Sequence, residues 1–99
     1  MNTFFCKLTP PRPTFAADMS EGERNVMREH AAYWKSSMDE GRVVVFGPVD
    51  DPNGTYGMGI IEAGDTADAI RFMSNDPAIK SGLGFTYNVH PMPRALSRR

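Results

Sequence analysis

The sequence predicts an α+β domain in which four strands and two helices follow one another in the order βαββαβ. Three observations lead to this prediction. Ser20 and Glu23, three residues apart, form a capping-box signature that opens a long amphipathic stretch. Asn53-Gly54 separates two apolar runs, which is a strong hairpin signal. A second helical stretch and an alternating strand then follow in the last third of the chain.

The composition is that of one ordinary globular domain, which we expect to span residues 1–99. Apolar residues make up 40% of the 99 and charged residues 23%. The formal net charge of −1 gives no basic surface for nucleic acid or anionic lipid. No apolar run approaches the ~20 residues that a membrane-spanning helix requires. We therefore expect neither a nucleic-acid nor a membrane partner.

Cysteine usage and the N-terminal residues predict a soluble protein of the reducing cytoplasm. Cys6 is the single cysteine, so an intramolecular disulfide is excluded and no cluster offers a structural zinc set. Residues 1–8 show no signal peptide. We expect no metal and no cofactor.

The first half of the chain predicts a strand, a proline-rich loop and a long helix. Residues 2–8 are strand-compatible and are stopped by prolines. The loop, residues 9–18, is either a functional lid or a stiff surface spacer. The helix begins after Ser20 and ends at Gly41, which suits a left-handed C′ position. Its inward stripe carries His30 and Trp34.

The second half predicts three strands and a second helix. Asn53-Gly54 should form a tight turn in which both residues take positive φ. Asp65 or Thr66 caps the second helix, which ends near Asn75 and faces Ala69, Ile70 and Met73 inward. The remaining predicted segments are strands at 42–49, 55–62 and 84–92, a short turn at 78–82 and a tail at 93–99.

The order βαββαβ is the ferredoxin-like split βαβ, with both helices on one face of a four-stranded antiparallel sheet. A sheet with one wet face should alternate apolar and polar residues. Residues 43–46 and 58–61 are instead apolar on both sides. Two helices cannot cover both faces, so we expect a second copy to cover the other one, sheet against sheet, in a homodimer.

His30 is the most informative candidate for chemistry. A buried imidazole needs a hydrogen-bond partner, and His is the side chain best suited to move protons near neutral pH. A satisfied core histidine is the simpler interpretation. Asp76 could fix the tautomer of His30. It could equally cap a helical turn, because Asp before Pro77 is a favoured N-cap.

A candidate binding pocket lies where the second and third strands meet. Gly47 and Pro48 close the second strand, and Gly59 faces them from the third. These residues are either ordinary strand termination or a pocket floor of bare backbone near His30. Phe15 from the loop and Trp34 from the helix complete the candidate substrate-binding set, although packing explains Trp34 as well. His90 is interpreted as an edge or interface residue.

The order of these motifs resembles the YciI-like family. The resemblance runs from about residue 4 to residue 92. Its motifs are His30 followed by Tyr33-Trp34, then Gly41, the run 45–48, the glycine-spaced strand 57–63, Asn75-Asp76-Pro77 and a closing strand ending near Pro91.

The resemblance implies a dimeric α/β barrel, a variant of the ferredoxin-like architecture. Members carry a His–Asp pair at a proposed active site, and the matching positions here are His30 and Asp76. One relative is a dehydrochlorinase of a chlorinated hydroxyquinol, and related barrels include cofactor-free isomerases and monooxygenases. The loop at 9–18 looks longer than in the shortest members, which bears on substrate size and access.

Two functions follow as hypotheses. The first is a cofactor-independent lyase or isomerase acting on a small cyclic or aromatic compound. His30 would be its general acid or base, Asp76 would orient the imidazole, and the pocket residues would enclose the substrate. The alternative is a non-catalytic dimeric module that binds a small molecule or a partner protein, with His30 merely satisfied in the core.

Overall fold

A computed structural model describes residues 2–98 of the chain. The described residues form β1 (Asn2–Thr9), α1 (Phe15–Asp18), α2 (Glu21–Asp39), β2 (Val43–Val49), β3 (Tyr56–Ala63), α3 (Thr66–Ser74), α4 (Pro77–Lys80) and β4 (Thr86–Pro91). All strand pairings are antiparallel, in the order β2-β3-β1-β4. This order confirms the predicted ferredoxin-like α+β fold. No described helix combines the length and the apolar character that crossing a membrane would require.

The predicted caps of the long helix are present. The Ser20 hydroxyl accepts a hydrogen bond from the N–H of Glu23 at 3.1 Å, and the Glu23 carboxylate accepts one from the N–H of Ser20 at 2.8 Å. These two bonds satisfy donors that the first helical turn would otherwise leave free. At the other end Gly41 has φ +86° and follows the last turn, as predicted.

The sheet buries one face under the helices and leaves the other face without cover in the single chain. Phe4 and Cys6 of β1 and Ile61 of β3 point toward α2 and α3 and are almost completely buried. A register shift between Val43 and Val45 changes the phase of β2. Val43 is therefore buried in the core, whereas Val45 is 48% exposed on the opposite face.

The loop between β2 and β3 is longer than the tight turn that the sequence predicted. No described residue other than glycine has a positive φ, so Asn53 does not adopt one and the prediction for it was wrong. The Asp51 carboxylate instead accepts a hydrogen bond from the N–H of Asn53 at 2.8 Å. This side-chain bond forms the turn locally, and only Gly54 takes a positive φ, of +136°.

The inward face of α3 also differs at one position. Ile70 was predicted to face the core, but it is 51% exposed, and Phe72 is buried in its place. The Phe72 ring packs edge-on against Trp34, with ring centroids 5.0 Å apart, and stacks on Tyr33 at 4.9 Å. Ala69, Phe72 and Met73 therefore form the buried stripe at helical spacing.

The proline-rich segment, residues 9–18, is folded down onto the helices and is called the lid below. It contains the short helix α1, which the sequence analysis treated as loop. Phe15 is buried and meets Phe85 edge-on at 5.3 Å. The Arg12 guanidinium donates to both carboxylate oxygens of Glu23, each at 2.8 Å, and to Asp18 at 2.8 Å. The lid is thus attached to the first turn of α2.

The Glu23 carboxylate is the acceptor that attaches the lid, so its charge should contribute to stability. The hydrogen bond from Arg12 lowers the pKa of Glu23 from its ordinary 4.5 to about 2. A carboxylate with a lowered pKa stabilises the fold fully above its unfolded pKa and loses that contribution as the pH falls toward the folded value.

We expect Glu23→Gln to unfold at lower urea concentration than the wild type at pH 7, with a difference that closes between pH 4.5 and 2. Glutamine keeps the oxygen that accepts from Ser20, so the substitution removes the charge and one of the two hydrogen bonds from Arg12. Glu21→Gln, in the same turn but exposed, is the control and should change little. A difference that is as large at pH 2 as at pH 7 would contradict this account.

Candidate functional site

Asp76 lies at the centre of the candidate site and is completely buried. It precedes Pro77 and caps α4, because one of its carboxylate oxygens, Oδ1, accepts a hydrogen bond from the N–H of Ala78 at 2.8 Å. Proline at the first helical position needs no acceptor for an N–H, so the Asp-Pro pair starts this turn efficiently. The capping interpretation of Asp76 therefore describes the structure correctly.

The pairing interpretation describes it equally well, because His30 contacts the same carboxylate. His30 Nδ1 is 2.8 Å from Asp76 Oδ2 and 3.1 Å from Oδ1. The His30 side chain is 16% exposed, so it lies between the buried carboxylate and the surface. One residue thus caps a helix and orients an imidazole.

Asp76 is ionised despite its burial. Burial alone would raise the pKa of its carboxyl, but the hydrogen bond and charge of His30, with bonds from Tyr87 and the Ala78 N–H, outweigh that effect and lower the pKa. An ionised carboxylate only accepts hydrogen bonds, so His30 Nδ1 carries a proton and donates it. In the neutral ring, Nε2 is then left with a free lone pair.

Two further donors converge on Asp76 Oδ2. Trp34 Nε1 donates at 2.7 Å and the Tyr87 hydroxyl at 2.5 Å, and Trp34 Nε1 also lies 3.2 Å from the Tyr87 oxygen. Burial and the Asp76 charge raise the pKa of the Tyr87 phenol well above its usual range. Tyr87 therefore stays protonated and acts as a fixed donor to the carboxylate.

A cavity of about 320 Å³ lies beside this network, between the helices and the sheet. That volume falls at the lower end of the ~300–1,000 Å³ typical of small-molecule sites. Its walls come from the lid, α2, β2, β3 and the β4 segment, and they carry no Lys, Arg, Asp or Glu side chain. The exposed residues Ala16, Ala31 and Pro48 are part of the lining, so the cavity opens to solvent.

The candidate residues take different places around this cavity. His30 lines it, whereas Asp76 lies behind the imidazole and does not. Phe15, Trp34 and Pro48 form parts of the wall. The exposed His90 pairs with Phe5 on the edge strand β4 and does not line the cavity.

The two glycines of the predicted floor have different surroundings. Gly59 lies under the Trp34 ring, and a Cβ atom there would come within 2.3 Å of that ring. Gly59 lines the cavity, and its missing side chain makes room for the Trp34 ring. Gly47 also lines the cavity, and a Cβ atom there would meet nothing within 4 Å, so no neighbouring atom requires glycine at this position.

Sequence reasoning missed the role of Tyr87. The sequence analysis did not single out Tyr87 as a candidate, yet its hydroxyl contacts the carboxylate and Tyr87 lines the cavity. The signal that could have found it is its inward-facing position on the alternating strand, because a buried tyrosine hydroxyl needs a hydrogen-bond partner.

Within residues 2–98 there is no group of three His, Cys, Asp or Glu side chains arranged to hold a metal.

The fold and the site together define a class, that of small ferredoxin-like α+β proteins with an apolar cavity between helices and sheet. The chain belongs to the YCII-related domain family, whose model matches residues 3–93. This confirms the family that the sequence motifs indicated. Comparison with curated proteins finds no match.

Among solved structures, the chain is similar to 5-chloro-2-hydroxyhydroquinone dehydrochlorinase from Burkholderia phenoliruptrix AC1100, in complex with 2,5-dihydroxybenzoquinone. The sequence identity is 24%, the similarity covers 93% of this chain and 95% of that chain, and the TM-score is 0.64. At this identity the likeness establishes the shared fold.

The close contact between Gly59 and Trp34 gives a test of how the site is held. We expect Gly59→Ala to lower the free energy of unfolding by ~1–3 kcal/mol, because the added methyl group must displace the ring. Urea unfolding monitored by circular dichroism measures this. Gly47→Ala is the matched control on the neighbouring strand and should cost much less. Equal losses in the two variants would contradict the expectation.

Proposed function

We propose that the protein is a cofactor-independent lyase or isomerase that acts on a small cyclic or aromatic compound in the cavity. The observation that supports the proposal best is the His30 ring, which lines an apolar cavity while its Nδ1 is engaged by the buried Asp76 carboxylate. That arrangement leaves Nε2 as the nitrogen available to a bound molecule. It is the arrangement that a general base requires.

The reaction begins when His30 Nε2 accepts a proton from a hydroxyl or a carbon next to a carbonyl of the substrate. In an elimination, the electron pair left behind forms a new π bond and the leaving group departs with its own bonding pair. In an isomerisation, the imidazolium returns the proton at another atom of the substrate. Asp76 carries the compensating negative charge in both cases, which stabilises the imidazolium.

The walls of the cavity favour a flat, mostly apolar substrate. The lining contains Phe15, Trp34 and Phe46 and no cationic side chain, so carboxylate or phosphate groups would find no ionic partner. The similar structure from Burkholderia phenoliruptrix supports the same class of compound, since it holds a dihydroxybenzoquinone and is named a dehydrochlorinase. The shared family supports carrying this class over to the present chain as a proposal.

The test is the substitution His30→Gln, with His90→Gln as the matched control. The probes are 2,5-dihydroxybenzoquinone for binding by calorimetry and 5-chloro-2-hydroxyhydroquinone for chloride release. We expect His30→Gln to lower kcat by ~10²–10⁴-fold, the range typical of a lost general base. His90 is exposed on β4 outside the cavity, so its variant should retain the wild-type rate.

Two results would contradict the catalytic proposal. One is chloride release that is equally fast in His30→Gln and the wild type. The other is binding of the quinone without chloride release from the chlorinated compound or proton exchange into it, which would favour the non-catalytic binding module.

We also propose that the protein works as a homodimer in which two sheets face each other, within a reducing cytoplasm. The support is the face of the sheet turned away from the helices. Val45, Ile60 and Phe5 lie side by side across β2, β3 and β1 on that face. Val45 is 48% exposed in the single chain, and covering such a row removes apolar surface from water.

We expect Val45→Lys to shift the chain from dimer to monomer in light scattering at micromolar concentration, because a charge would be buried without a partner. Ile70→Lys is the matched control. Ile70 is 51% exposed but lies on α3, away from the open face of the sheet, so this variant should stay dimeric. A wild-type chain that is monomeric under the same conditions would refute the dimer.

A further inference from the structure

We propose that Tyr87 and Trp34 are positioning residues that keep the His30–Asp76 pair in its basic form, with the imidazole neutral and its free nitrogen ready to accept a proton. The inference deepens the proposed function and rests on it for its catalytic meaning. It is carried by geometry, because four donors from α2, α4 and β4 converge on one buried carboxylate.

The hydrogen bonds that Asp76 accepts determine how strongly its carboxylate attracts a further proton. Each hydrogen bond to an ionised oxygen stabilises the negative charge and makes the carboxylate a weaker attractor of any further proton. Oδ2 accepts from Tyr87 at 2.5 Å and from Trp34 at 2.7 Å, on the same oxygen that lies 2.8 Å from His30 Nδ1. The two donors therefore compete with His30 for one acceptor.

That competition determines how strongly the pair holds an additional proton. A carboxylate with no other donor would pull hardest on an imidazolium, and the pair would take up a proton from solvent more readily. A His30 ring that is already protonated cannot accept a proton from a bound molecule, so it could not act as a base. With Tyr87 and Trp34 in place, the carboxylate attracts an imidazolium less strongly.

Arg42 is a cation at the edge of this core, 5.0 Å from the Phe72 ring centroid, and Asp68 pairs with it at 2.9 Å. Tyr33 of α2 and Cys6 of β1 lie in the same cluster of buried residues. Burial raises the pKa of both, that of Cys6 to about 12. Tyr87 of β4 also stays protonated, and Asp76 is the ionised group in direct contact with the imidazole.

Tyr33 shows that this arrangement is more than the ordinary satisfaction of a buried hydroxyl. Its hydroxyl donates to the backbone carbonyl of Phe72 at 2.6 Å, so a main-chain acceptor suffices in this core. Tyr87 and Trp34 are directed instead at the one oxygen that also contacts His30. Tyr33 therefore provides a matched control for Tyr87.

The experiment follows the ring nitrogens of ¹⁵N-histidine-labelled full-length protein by NMR from pH 5 to 9. The chain has two histidines, so His90→Gln assigns the signals. We expect Tyr87→Phe to move the midpoint of the pair's titration upward by at most about one pH unit, because the carboxylate is ionised in both forms of the ring and only part of one charge-assisted hydrogen bond is transferred to the imidazole. Trp34→Phe should move it in the same direction, and Tyr33→Phe should leave it unchanged.

A midpoint that stays in place or moves down in both Tyr87→Phe and Trp34→Phe would overturn the inference. Loss of folding in Tyr87→Phe would overturn it for Tyr87 as well, since the hydroxyl would then serve stability, and Trp34→Phe would decide for the indole. The measurement uses no substrate. An upward shift combined with unchanged chloride release in His30→Gln would refute the proposed function and leave the positioning role intact.

Discussion

The structure depends on a buried negative charge that must be satisfied from several directions at once. A carboxylate taken out of water costs several kcal/mol unless donors surround it, so the donors to Asp76 cannot be exchanged independently. They come from the main chain of α4, from two positions one turn apart on α2 and from β4. The same requirement therefore fixes the long helix, the short helix and an edge strand relative to one another.

The parts of the fold that could be predicted from the sequence are those with a local cause. The capping box at Ser20 and Glu23 and the left-handed Gly41 depend on residues within one turn, and both are present. Phe72 replaced Ile70 in the core because a ring on that side of α3 can meet Trp34, a contact that no window of α3 alone contains. Val43 and Val45 of β2 lie on opposite faces of the sheet because of the register shift between them. The pattern of apolar residues in the sequence does not predict that shift.

The candidate site divides in the same way. The sequence identified His30 and Asp76 and offered two interpretations of each, but it could not choose between them. The choice depends on a contact between residues 46 positions apart, which follows from the sheet order and the helix packing. For Asp76 the two interpretations were never exclusive, since its Oδ1 serves the cap and its Oδ2 the side chains. Tyr87 was missed because only the assembled core brings its hydroxyl to the carboxylate.

The double duty of Asp76 has a consequence for comparing descendants of this architecture. A relative that has lost the activity still needs an N-cap for α4, so folding alone keeps a capping residue such as Asp, Asn or Ser at this position. The His30 ring caps no helix, and its described contacts are with the Asp76 carboxylate and the Trp34 ring. We therefore expect inactive relatives to replace the histidine at position 30 sooner than the capping residue at position 76. The residue at position 30 is then the better indicator of whether a relative is active.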